Sequence, residues 1–225
     1  MKTFISPSNT PSLTISLPTV IVLLASALFI ILGPLSGCKN SDKSNESKPE
    51  VTLQNLQTAY GREMRISREY SLFAQRAEKD RYSAIAALYK AASRSEQIHA
   101  EMAAALLRLK GVPVNPYKPD SIIVGTIAQT LHLAISDEGL ETESMYPNLA
   151  RTADQEKFTE AAESFRRTLI ADKRHVELLK EALDRKGNMV SPQYFVCPEC
   201  GYIITSDKVA ECPGCHAKKE KFEKI

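Results

Sequence analysis

Tryptophan is absent from the 225 residues, and neither sign of charge dominates: 29 Lys and Arg stand against 27 Asp and Glu, a net charge of +2. That balance removes the basic footprint that nucleic-acid binding requires. Cysteine is scarce and unevenly placed. Of five, one is at position 38 and four fall at 197, 200, 212 and 215, as two Cys-x-x-Cys pairs, which is no disulfide framework. No apolar run is long enough for a comfortable membrane span; the longest, residues 19–32, has the length of a signal-peptide core. What remains is a 43% apolar chain of ordinary globular composition, sized for one medium domain and a small appendage.

The apolar run is followed by LSGC, Leu35 to Cys38, which resembles a bacterial lipobox whose Cys becomes the lipidated first residue of the mature chain. Residues 1–37 are then expected to be a lipoprotein signal peptide. Residues 38–51, polar at KNSDKSNESKPE, are expected to form a flexible tether. The mature protein would be extracytoplasmic and held to the membrane only by its anchor.

Residues 52–185 read as four helices, roughly 52–79, 81–110, 119–146 and 153–185, with Pro147 breaking or kinking the third. Each apolar stripe is interrupted by acids: Glu63 on the first, Glu96 with His99 on the second, Glu138 and Glu141 on the third, Asp172 with His175 on the fourth. No Lys or Arg lies on these stripes near them. Carboxylates facing a bundle core are costly unless paired or bound to metal. Five of them with two histidines suit two divalent cations. Glu-x-x-His spacing sets both side chains on one helix face, and it occurs in EQIH and, with Asp, in DKRH. A shift of 76 residues superimposes Tyr82 on Phe158, Glu96 on Asp172 and His99 on His175. Glu78, Glu101, Glu163, His132 and His216 fall off the pattern and are expected at the surface.

The two Cys-x-x-Cys pairs, Cys197/Cys200 and Cys212/Cys215, predict a tetrahedral thiolate site for iron or zinc in a β-rich module that follows a linker at 186–193. The bundle's stripes do not involve this tail, so the bundle is expected to fold without it.

The stretches REMRISREYSLFAQRA, SRSEQIHAEM, DEGLETESMYP, DKRH and CPECGY…CPGC together resemble rubrerythrin over residues 52–225. The resemblance implies a mainly α fold: a ferritin-like four-helix bundle over 52–185, then a small rubredoxin-like domain within 186–225. It implies Glu63, Glu96, Glu138, Glu141, Asp172 and His175 as di-iron ligands, with His99 exchanging for Glu141, and Tyr70 and Tyr146 bonding the carboxylates. It further implies one iron at the four cysteines, hydrogen peroxide as substrate, and a homodimer arranged head to tail for electron relay. Two departures stand out: Asp172 where the family mostly has Glu, and apparent export, which leaves an unknown extracytoplasmic electron donor. A ferroxidase or iron-binding protein without peroxide turnover, and a structural protein with a zinc ribbon, are the alternatives.

Overall fold

A computed structural model describes residues 49–185, 193–205 and 209–225. The expected signal segment, Cys38 and most of the expected tether lie outside the described residues, as does most of the expected linker. Helix α1 runs Glu50–Lys79 and α2 Ser83–Leu109. The tether's last two residues are therefore already helical. Helix α3, Ile127–Leu140, passes through a π-helical turn, Glu141–Met145, into α4, Tyr146–Gln155, and α5 spans Thr159–Asp184.

Three helix boundaries differ from the sequence expectation, the fourth helix starting at Thr159 rather than 153 because the third rod runs on to Gln155. The third helix begins at Ile127 rather than near 119, because Thr126 caps it: its hydroxyl accepts from the Gln129 amide, while the Gln129 side chain accepts from the Thr126 amide. Pro147 does not end the helix. It sits in the first turn of α4, just after the π turn, where a missing N–H is tolerated. The long third rod therefore reaches Gln155.

The internal repeat is visible in the backbone. Arg81 and Lys157, 76 residues apart, take left-handed φ values of 67° and 57°. In both turns the next residue closes the same bond, Tyr82 N to Ala77 O at 2.8 Å and Phe158 N to Ala153 O at 2.9 Å. Two helical hairpins built alike bring their polar stripes to one level, with an apolar cluster on each side. One contains Tyr70, Phe73, Leu88, Tyr89, Leu131 and Leu179. The other contains Leu56, Leu107, Tyr146, Phe158 and Phe165.

Beyond the bundle, three two-residue strands, β1 (Phe195–Val196), β2 (Ile203–Ile204) and β3 (Glu223–Lys224), form an antiparallel sheet in the order β2-β1-β3. This module packs against the bundle. Tyr194, Val196 and Ile203 are buried in the first apolar cluster, and Arg94 of α2 forms a two-pronged ion pair with Glu223. The stripes carry only residues that face the bundle axis, so the patch on α2 and α5 that the module covers left no periodic signal.

Candidate metal centres

The level where the stripes meet holds Glu63, Glu96, His99, Glu138, Glu141, Asp172 and His175, all buried. Two groups have donor atoms close enough to share an ion: Glu96, Glu138, Asp172 and His175, and Glu63, Glu96 and His99. Glu96 belongs to both, as a carboxylate shared between two ions would. Glu141 belongs to neither.

Electrostatics favour cations here. Burial, reinforced by neighbouring carboxylates, pushes Glu63, Glu141 and Asp172 well above the usual carboxylate range and raises Glu96. Burial pulls His99 down to about 4. For His175, burial acts downward but Glu138 and Glu96 outweigh it, leaving it at about 10.

Orphaned atoms give a direct test of whether metal fits. Both oxygens of Asp172, one oxygen each of Glu63, Glu96, Glu138 and Glu141, and Nε2 of His175 are buried without a hydrogen-bond partner. His175 Nδ1 lies 3.0 Å from Glu96 Oε1 and 3.1 Å from Glu138 Oε1, and only the second contact has hydrogen-bond geometry. Neutral His99, placing Nε2–H on the carbonyl of Cys200 at 3.2 Å, turns its Nδ1 lone pair to Glu96 Oε2 at 2.8 Å. Two acceptors that close need a cation or a proton between them. Seven polar atoms left unpaired in a dry interior are costly unless a charge of opposite sign completes them. The donor set therefore fits two oxygen- and nitrogen-bound cations.

Tyrosines flank the carboxylates. The Tyr70 hydroxyl donates to Glu138 Oε1 at 2.6 Å, and that of Tyr146 donates to Glu63 Oε1. Burial, and then the adjoining carboxylates, drive both phenols well above their ordinary pKa, so they remain protonated donors.

The second centre is compact. Cys197, Cys200, Cys212 and Cys215 are unpaired by disulfides, and Sγ–Sγ distances of 3.6 Å join Cys197 to Cys215 and Cys200 to Cys212. A tetrahedron with bonds of about 2.3 Å has edges of about 3.8 Å, so four sulfurs at this spacing fit one ion. Thiol donors from Cys197 and Cys200 hold the Cys212 thiol at about 2.

Sequence reasoning missed three residues. Arg62, adjacent to Glu63 but off the stripe, donates through Nε to Glu141 Oε1 at 2.5 Å, so a cation does reach the carboxylate layer. Ser95 and Gly201 build the junction between the centres: the Ser95 hydroxyl donates to the Gly201 carbonyl at 2.6 Å. Ser95 lies one turn before His99, a spacing that could have flagged it; nothing in the sequence marks Arg62. Glu78, Glu101 and Glu163 are exposed, as expected, and so are His132 and His216.

Comparison with known proteins agrees with this arrangement. The rubrerythrin family model matches residues 54–183. The chain is 29% identical to rubrerythrin-2 of Clostridium acetobutylicum over 78% of its own length and 97% of that protein's. It is 30% identical to nigerythrin of Nitratidesulfovibrio vulgaris, covering 82% of this chain and 94% of the relative. The solved structure of nigerythrin in its fully reduced, all-ferrous state superposes with a TM-score of 0.72 at 28% identity, over 77% of this chain and 86% of that one.

Proposed function

The chain belongs to the rubrerythrin family, an oxidoreductase family with iron cofactors, and from that premise we infer that it reduces hydrogen peroxide to water. The observation that carries this reading is His99, whose two ring nitrogens face two different metal-ligand sets. Nδ1 looks into the bundle carboxylates at 2.8 Å, and Nε2 rests on the Cys200 carbonyl at 3.2 Å. A redox site beside a one-electron thiolate centre suits repeated turnover; a site that only stored metal would have no use for the junction. Each peroxide takes two electrons and two protons and leaves as two waters.

Glu63, Glu96, Glu138, Glu141, Asp172, His99 and His175 would hold two irons, and Cys197, Cys200, Cys212 and Cys215 a third. When bound, the iron pair supplies two reducing equivalents and Lewis acidity toward the peroxide oxygens, while the thiolate-bound iron passes electrons singly. The protein's own part is positioning and exclusion. Tyr70 and Tyr146 pin Glu138 and Glu63 through hydroxyls that keep their protons. The apolar clusters on either side keep the carboxylate layer dry, which strengthens every charge interaction within it. Within one chain Cys200 already meets His99, so contact between the modules does not require a second copy. Homodimerisation belongs to the proposal on the family's account. Lipidation at Cys38, an extracytoplasmic location and an extracytoplasmic donor rest on LSGC; intact mass of the mature chain, showing residues 1–37 absent and an acylated cysteine, checks them.

Anaerobic stopped-flow mixing of the reduced chain with hydrogen peroxide tests the activity. The bundle irons should be oxidised by one equivalent of peroxide, faster than by dioxygen. Oxidation by dioxygen alone, with peroxide inert, refutes the peroxidase reading and favours a ferroxidase.

A further inference from the structure

Glu141 stands apart from the other buried carboxylates. It is fully buried, it opens the π-helical turn, and its oxygens are not among the donor atoms that cluster closely enough to share an ion in either ligand group. One of its oxygens, Oε2, has no partner. The other is taken by Arg62, whose Nε donates to it at 2.5 Å. The guanidinium is anchored from its far side: its terminal nitrogen reaches the Asp137 backbone carbonyl at 3.5 Å and the Asp137 carboxylate at 3.7 Å. Arg62 is about a fifth exposed, so it enters the layer from the edge of the bundle and keeps part of its hydration. Arginine holds its charge at any working pH, so this contact does not relax by deprotonation.

We propose that Arg62 is a positioning residue that occupies one oxygen of Glu141 and holds that carboxylate back from the metals, so that metal binding through Glu141 must compete with the guanidinium. The proposal rests on the bundle binding two metals and not on peroxide being the substrate. Freeing Glu141 should then tighten the site. Removing one charge-assisted hydrogen bond corresponds to a gain of roughly ten- to a hundredfold in the affinity of the weaker bundle position. A simple field effect of a nearby positive charge would also tighten metal binding, but it would do so whether or not residue 141 can ligate.

The full chain, loaded with Co2+ and titrated with a competing chelator, separates these possibilities. Ligand-field bands report the bundle position, and the intense thiolate bands of cobalt at the four cysteines identify the other site. Arg62→Gln should raise bundle affinity by the factor above and change the ligand-field spectrum as Glu141 joins the coordination. Repeated in a Glu141→Gln background, the same substitution should change affinity by no more than about twofold, the ordinary scatter between independent sites. Arg62→Lys, which keeps the charge but not the planar fork, should give a smaller change of the same sign, and it serves if Arg62→Gln does not fold. Unchanged affinity and spectrum in these variants, or an equal gain when Glu141 is already Gln, overturns the proposal. No peroxide enters the titration, so its outcome is independent of the activity assigned above.

Discussion

Replacing Gly201 by Ala should loosen the junction between the two centres without emptying either. Gly201 has φ +78°, where an L side chain costs about 1–2 kcal/mol. A Cβ there would lie 2.4 Å from His99 Nε2 and 2.5 Å from Ser95 Oγ. Both neighbours are buried and cannot step aside, so the module must back away and give up two hydrogen bonds, Ser95 to Gly201 O and His99 to Cys200 O. At about 1 kcal/mol each, these bring the total to about 3–4 kcal/mol. Against this stands the burial of Tyr194, Val196 and Ile203, at roughly 2 kcal/mol apiece, which keeps the module attached on average. The expected result is therefore frequent local opening rather than release. Amide hydrogen exchange at Tyr202 and Ile203 should speed by about a hundredfold or more, while the visible spectrum of iron at the four cysteines is kept. Ser95→Ala, which removes one bond and one obstruction, should produce a milder change. Unaltered exchange in a Gly201→Ala chain that keeps its thiolate iron would refute the close approach on which this reasoning depends.

Other outcomes follow from the carboxylate layer. Asp172→Ala should lose the ion shared by Glu96, Glu138 and His175, read as a drop in bundle metal stoichiometry, because removing one anion leaves the others short of a ligand; Asp172→Glu should retain both ions if the shell admits another methylene, and unchanged stoichiometry in the alanine variant would remove Asp172 from the site. Metal binding should release protons at pH 7. His175, held at about 10, carries a proton in the metal-free fold that a metal would displace, whereas His99, at about 4, has no proton to give; burial shifts Glu63, Glu141 and Asp172 upward, toward the protonated form, in the same direction. Affinity for Co2+ should accordingly rise with pH between 6 and 8, by about tenfold per unit for each proton displaced. Calorimetry in buffers of different ionisation enthalpy counts those protons, and a count of zero contradicts the assigned protonation states.

Much of this protein was legible in order along the chain. The helix period fixes which side chains of one helix share a face, so Glu63, Glu96, Glu138, Glu141, Asp172 and their histidines could be placed on inward stripes, and all are buried in the folded chain. The 76-residue repeat set Asp172 and His175 opposite Glu96 and His99, and the folded chain repeats the turn before each of those helices, with left-handed residues at Arg81 and Lys157. Thiolate spacing alone foretold the four-cysteine cluster. Periodicity is a property of one helix, however, and it says nothing about what approaches from outside. Arg62 meets Glu141 only because α1 lies beside the π-helical turn, 79 residues away in sequence. Gly201 meets Ser95, 106 residues apart, only because the β-module settles on α2. Which carboxylate carries a cation of its own, and where the second centre touches the first, were settled by side chains from distant parts of the chain competing for the same few ångströms, and tertiary packing alone brings them there.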